Sequence, residues 1–412
     1  MICKMFGGDN TAPSTTVAQF NFINPCFQSS WSSTESQRRN PLSDDMILTG
    51  WSIQLDAAPG AGKSYTFAIR DDGVDVATIT ISDTATTGSW SGNVSIAAGS
   101  LVCVSATPSG TPTASTNQYW QINYSTNGNY FLMMGASSVQ QDTVNTKYQN
   151  PNGGQGILGS STYTDFDFPC PTNMTVNKIT ASADAAPGAA ASGKKWDVAI
   201  AQNNTNFLTA TIFETETQHT TSGSLSFTPG DSMVMRYLPT AGPAAARIGW
   251  CMSITPDVSG ECVFGFGNFA AIVSDATTRY EQMLSMGNNG WNSSENVRYL
   301  HPPAGDYKKM YVRVGTAPGG TTSRVVTLMD NGSPTSLAAT ITGASTTGSD
   351  TTNTATVSGG GNTGTLRMTE PSGAPAALSG VHVGYVLFVP QPTNPPQIEM
   401  PNIFPVTRLM TI

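Results

Sequence analysis

"LDAAPGAGKSYTF", residues 55–67, decides how this chain is read. Gly60, Gly62, Lys63 and Ser64 stand in near-Walker order, the order of a loop that cradles phosphates with backbone N–H groups and a lysine. Such a loop needs G-x-x-x-x-G-K-[ST] between a strand and a helix. Here Ala57 occupies the place of the first glycine, and "YTFAI" after Ser64 alternates with the period of a strand. The stretch therefore predicts a turn between two strands. Pro59 sets φ for that turn, and Gly60 is free to take a positive φ. No nucleotide site is expected.

The same A-P-G recurs. "DAAPGAAASGKKWDVAIAQNN" starts at Asp184 and "GTAPGGTTSRVVTLMDNG" at Gly315. Pro59, Pro187 and Pro318 are separated by 128 and 131 residues, a period of whole domains and not of solenoid units. The match runs on through "VATITISDTATTGS" (76–89), "LTATIFETETQHTTSGS" (208–224) and "LAATITGASTTGS" (337–349). Each copy closes on an apolar strand: "QYWQINY" (118–124), "RIGWCMSI" (247–254) and "VHVGYVLFV" (381–389). Asp72–Gly73, Asn203–Asn204 and Asn331–Gly332 fall at one shared position, a hairpin signal between alternating segments.

Within the first copy, Ile47, Ile53 and Leu55, then Tyr65, Phe67 and Ile69, then Ile79 and Ile81 mark alternating strands. Period-two alternation puts one face on a core and the other in water. The expectation is an all-β chain of three tandem antiparallel β-sandwich domains, jelly-roll or Ig-like, with the jelly-roll preferred because the segment before A-P-G is long. The boundaries follow from the period: an N-terminal arm (1–15), sandwiches at 16–138, 139–268 and 269–390, and a Pro-rich extended tail (391–412). The tail's five prolines oppose helix, and Ile398, Ile403, Phe404 and Leu409 are candidate docking anchors, on a neighbour or on the third domain.

Composition narrows the function. Only 11% of the 412 residues are charged and the net charge is −8, with no basic block, so nucleic acid is not an expected partner. No apolar run reaches the length of a membrane span or a secretory leader, and none is expected. The six cysteines lie far apart and read as buried thiols of a reducing cytoplasm, although Cys251 and Cys262 could face each other across a hairpin.

Chemistry-bearing patterns are sparse. His219, His301 and His382 are isolated, with no zinc-binding spacing and no G-x-S-x-G elbow. Asp165/Asp167 and Glu214/Glu216 could be paired carboxylates of a glycosidase, but neither pair recurs in the other copies. "SDD" (43–45) and "DDGVD" (71–75) are the best oxygen-rich candidates for calcium, and neither is an EF-hand loop. Trp31 and Trp291 hold matching places beside Ser and Asn. They are candidate contacts for a glycan or a partner, against the alternative of structural tryptophans closing one end of a sandwich. No catalytic residue, cofactor or metal is expected.

The pattern "APGAGKSYTFAIRDDG…ATITISDTATTGS…AAGSLVCVSATPSGTP" resembles a motif in structural proteins of tailed bacteriophages, where A-P-G-x-G-K-x-[YF]-T-[FV] leads to an Asx-Gly turn, a Thr-rich strand and an A-A-G-D turn. Residues 57–112 match it well, and 185–243 and 317–375 more loosely. The second copy lacks the Asx-Gly pair and the third has "SGGGN" in place of A-A-G-D. The resemblance implies a virion component, a capsid decoration or tail/fibre protein, assembled in a host cytoplasm with other virion proteins as partners. A homo-oligomer or a pseudo-trimer that places the three domains on a three-fold position fits the repeat count. A carbohydrate-binding adhesin recognising host glycans is the alternative.

Overall fold

The computed structural model describes residues 1–24, 30–155, 159–268, 277–284, 291–295, 300–359, 362–370, 376–377 and 380–392. The first domain runs through β1 (Ile2–Asp9), β2 (Gln19–Asn21), β3 (Asn40–Pro41), β4 (Met46–Leu55), β5 (Gly60–Asp71), β6 (Val74–Asp83), β7 (Thr87–Ile96), β8 (Leu101–Ser109) and β9 (Gln118–Ser125). One sheet orders them β1-β9-β4-β7 and the other β2-β8-β5-β6, with β3 beside β8. The chain changes sheet at nearly every connection, and the first strand pairs with the last. That interleaving is a jelly-roll, which decides between the two sandwich types the alternation allowed.

The second domain comprises β10 (Phe131–Ser137), β11 (Lys147–Gln149), β12 (Gly153–Gln155), β13 (Phe168–Pro169), β14 (Met174–Ala183), β15 (Lys195–Gln202), β16 (Asn206–Phe213), β17 (Gln218–Phe227), β18 (Ser232–Thr240) and β19 (Ile248–Pro256). The third comprises β20 (Glu261–Asn268), β21 (Arg279–Glu281), β22 (Gly305–Val314), β23 (Ser323–Asp330), β24 (Ser333–Thr342), β25 (Thr347–Val357), β26 (Gly364–Thr369) and β27 (Val381–Phe388). Their sheets repeat the order: β12-β10-β19-β14-β17 with β11-β18-β15-β16, then β20-β27-β22-β25 with β21-β26-β23-β24.

Three expected boundaries move. Residues 2–9 are not an arm but β1, paired along its length with β9 from Ile2↔Ser125 to Asp9↔Gln118. "FLMMGAS" (131–137) opens the second domain, because β10 pairs with β19, and β20 likewise opens the third at Glu261 through β27. A jelly-roll is closed by its most distant strands, and alternation along the chain carries no signal of which strands those are.

The opening stretch is a strand. β5 starts at Gly60, with φ of +99° there and +70° at Gly62, and continues to Asp71 without a helix. The A-P-G carbonyl takes the same bond in each domain: from Thr113 N–H to Pro59 O at 2.8 Å, Ala244 to Pro187 at 2.7 Å, and Ala376 to Pro318 at 2.9 Å. β4, β14 and β22 each carry a bulge, after Leu48, Val176 and Lys308. In β4 it switches the buried phase from Met46 and Leu48 to Trp51, Ile53 and Leu55, leaving Ile47 only half-buried. A single strict alternation through Ile47 is thereby corrected.

The shared hairpin turn is left-handed at both residues in every domain: Asp72 and Gly73, Asn203 and Asn204, Asn331 and Gly332 all have φ between 46° and 88°. Asn204 holds this conformation without glycine, and its Oδ1 is buried with no hydrogen-bond partner. Left-handed backbone costs a residue with a Cβ roughly 1–2 kcal/mol, of which asparagine recovers part. Asn204→Gly is therefore expected to stabilise the chain by about 0.5–1 kcal/mol in denaturant titration. A loss of stability would show that the turn does not limit β15–β16.

Candidate functional site: three seams that close a ring

The domains meet head to tail. In each, the segment leading into the bulged strand forms a corner that packs on the first-named sheet of the next domain. The receiving positions are equivalent by register: Ser182↔Gly249 in the second domain, Arg313↔His382 in the third, and Gln54↔Tyr119 in the first.

At the seam of domains one and two, the corner is Arg39–Asp44. A Cβ on Gly249 would lie 2.7 Å from Arg39 O and 3.3 Å from Pro41 Cδ, so only glycine admits this approach. Ser43 Oγ is 2.7 Å from Ser253 Oγ and 3.2 Å from Cys251 Sγ. Asp44 accepts from Lys178 Nζ at 2.6 Å and from Ser253 Oγ at 2.5 Å.

At the seam of domains two and three, the corner is Asp167–Thr172. The Phe168 ring lies on Gly265, and the Pro169 carbonyl lies on Gly384. The Asp167 carboxylate, fully buried, accepts from Arg313 and from Ser232 Oγ, and its backbone carbonyl is 2.6 Å from His382 Nδ1. Thr172 Oγ1 donates to Glu261 Oε2 at 2.8 Å and accepts from Lys309 Nζ at 3.0 Å. Glu261, also fully buried, pairs with Lys309 at 2.6 Å and Lys308 at 3.2 Å. Burial holds the His382 imidazole below its usual range, against the opposing pull of Asp167.

At the seam of domains three and one, the corner is Leu300–Ala304. Gln121 Nε2 donates to the carbonyls of His301 at 3.0 Å and Pro302 at 3.1 Å, and Lys4 Nζ to that of Ala304 at 2.6 Å. The His301 ring stands edge-on to Tyr119, 4.6 Å between centroids. Gln391 fastens the same junction, accepting from Ile2 N–H at 2.6 Å and donating to Ile2 O at 2.9 Å. The third contact returns to the first domain, so the ring is closed, and one hydrophobic core runs through all three domains.

Cavities lie at two seams. One of about 190 Å³ is walled by Arg39, Ser182, Asp184 and Arg247, and one of about 360 Å³ by Gln54, Ser89, Tyr119 and His301. At the seam of domains two and three, Arg313 and His382 both close on Asp167.

The residues singled out from sequence fall elsewhere. Trp31 is 8% exposed, donates to Gln118 Oε1 at 3.0 Å and packs against Phe67 and Trp120. Trp291 is 7% exposed and packs against Phe266. A sugar stacks on an open aromatic face, which neither indole presents, and both are corrected from surface contacts to core residues. Ile398, Ile403, Phe404 and Leu409 lie outside the described residues. Asp165 accepts from Ser160, while Asp167 faces the seam, so they do not form a working pair. Glu214 accepts from the N–H groups of Ala191 and Gly193, and Glu216 from that of Phe213. Asp45 binds Ala98 N–H, Asp72 binds Leu101 N–H, and Asp75 pairs with Arg70. Among the described residues no three His, Cys, Asp or Glu side chains gather as a metal cluster, and no helix is long and apolar enough to cross a membrane.

Cys251 and Cys262 do not face each other. They sit on β19 and β20, strands of different domains, and Cys251 bonds to Ser43. All five described cysteines are buried and free, and burial pushes the thiols of Cys170 and Cys251 up to about 12. Sequence reading passed over Arg313, Glu261, Lys309 and Gln121 entirely. The one available signal was a histidine inside the apolar run "VHVGYVLFV", and its partner stands 215 residues away.

No protein-family model matches the chain, and no curated protein matches it. Solved structures are similar over most of its length at low identity. A chain from the atomic structure of Sulfolobus Turreted Icosahedral Virus is 8% identical, with 85% of this chain and 81% of that one covered and a TM-score of 0.20. A chain from the triple jelly roll fold and turret assembly of an archaeal virus is 8% identical, with 93% and 91% covered and a TM-score of 0.19. With TM-scores this far below one half, neither bears on the argument, and the jelly-roll rests on the strand order above.

Proposed function

We propose that this chain is a non-enzymatic structural component of a virus particle, a single-chain pseudo-trimer seated where the particle has local three-fold symmetry. The observation that carries the reading is the closed ring: three equivalent corners on three equivalent sheets. Head-to-tail contacts that close generate cyclic symmetry, and such an object fits a three-fold environment without a second chain. The buried polar groups of the seams also bind one another across domains, as structural joints do. The sequence resemblance adds a bacteriophage particle assembled in a host cytoplasm, with other virion proteins as neighbours. A compact ring suits a capsid position better than a place along a tail or fibre. Host-glycan adhesion, which leaned on Trp31 and Trp291, loses its platform.

Electron microscopy of purified particles tests the reading. The expected result is one copy on each local three-fold of the shell. Absence from the particle, or a site without three-fold character, would remove it.

A further inference from the structure

The chain itself crosses two of the three seams, from β9 into β10 and from β19 into β20. The seam of domains three and one closes the ring through non-covalent contacts. There β1 and β20 lie side by side, and their contacts advance together along both strands. At one end Met1 Sδ accepts from Gly260 N–H at 3.3 Å; at the other the Phe6 and Phe264 rings stand 5.0 Å apart. Between these contacts come Cys3 and Cys262, both buried, with their thiols in hydrogen-bond contact. The other three described cysteines bond to oxygen instead: Cys103 to Glu35, Cys170 to Thr172 O and Cys251 to Ser43. We infer that Cys3 and Cys262 form an oxidation site, whose disulfide joins the first domain to the third and makes the ring covalent throughout.

Both sulfurs are free thiols in this structure, and thiols in contact need only close to the ~2.0 Å of an S–S bond. The oxidant is a hydroperoxide, small enough to reach a buried sulfur. One thiol gives up its proton and attacks the O–O bond, which leaves a sulfenic acid and one water. The second thiol sulfur then displaces the hydroxyl from the first, a second water leaves, and the S–S bond remains. The two sulfurs lose two electrons and the peroxide gains them. Burial pushes the Cys3 thiol well above its usual range, and the neighbouring Cys262 thiol adds to the rise. The attacking thiolate is therefore scarce and the reaction slow. A disulfide carries no charge, so burial does not oppose the product. The bond would close a loop from residue 3 to residue 262, and a loop of that length strongly restrains the unfolded chain. The pair stands at its junction whatever the ring is part of.

Hydrogen peroxide treatment of the full chain tests it. Remaining thiols are alkylated after denaturation, and the unreduced digest is mapped by mass spectrometry. The expected product is a linked pair of peptides carrying Cys3 and Cys262, with the other cysteines alkylated and the link undone by dithiothreitol. The thermal midpoint of the oxidised chain should lie roughly 5 °C above that of the reduced chain. Cys3→Ser and Cys262→Ser, treated with the same peroxide, should lose both the link and the rise, whereas Cys103→Ser should keep both. If either seam variant fails to fold, the peptide map of the unmodified chain still decides. Both thiols left open to alkylation, either one linked to a different cysteine, or oxidation that stops at separate sulfinic acids would overturn the site.

Discussion

Gly384→Ala is expected to part the second and third domains. A Cβ at that position would meet the carbonyl oxygen of Pro169 head-on, and the obstacle is backbone, which cannot swing aside like a flexible side chain. Gly267, on the neighbouring strand β20 of the same joint, is also confined: its Cβ would lie 2.5 Å from Asp167 O and 2.7 Å from His382 Nδ1. Overpacking costs typically 1–3 kcal/mol, and a backbone obstacle at a closed joint puts this substitution at about 3 kcal/mol or above. The ring loses one of three contacts, so calorimetry should show the third domain melting apart from the other two. One transition at the original midpoint would show that the corner does not sit on Gly384. Gly249→Ala should act in the same way at the first seam, more mildly, because its nearest obstacle is farther off.

The second large effect belongs to Trp250. Its side chain is fully buried, its Nε1 donates to Pro151 O at 2.9 Å, and its ring meets Tyr237 edge-on at 5.8 Å. Trp250→Ala removes one of the two fully buried tryptophans of the second domain, the other being Trp196, and leaves the Pro151 carbonyl without this bond. The expected loss is about 3–5 kcal/mol, read from the shift of the denaturant midpoint. Trp120 occupies the same register place in the first domain and donates to Ile23 O at 2.8 Å, so Trp120→Ala should cost about as much. A loss under about 1 kcal/mol at either position would mean that the core collapses around the gap.

Much of this fold was legible because it is local. Alternation through Tyr65, Phe67 and Ile69 named the strands, and the recurring A-P-G counted the domains. Asx pairs at Asp72, Asn203 and Asn331 placed the hairpins, including the one without glycine. What stayed hidden is non-local. The pairing of Ile2 with Ser125 separates a jelly-roll from other sandwiches, and no periodicity encodes it. The seams were hidden for the same reason: Asp167 and Arg313 lie 146 residues apart and look in sequence like two solvated strand residues. Trp31 and Trp291 left two readings open, because their Ser- and Asn-rich neighbours suggest a surface; the indoles turn inward to Phe67 and Phe266, as the structural alternative has it.

A trimer of identical chains meets every mutation three times, so a change good for one junction must be tolerated at its two copies. Here Gln54 and Tyr119, Ser182 and Gly249, and Arg313 and His382 are spelled out separately along one polypeptide. Selection, or an engineer, can rewrite any one junction without touching its siblings, and covalent linkage guarantees that the mismatched parts are always delivered in the correct ratio.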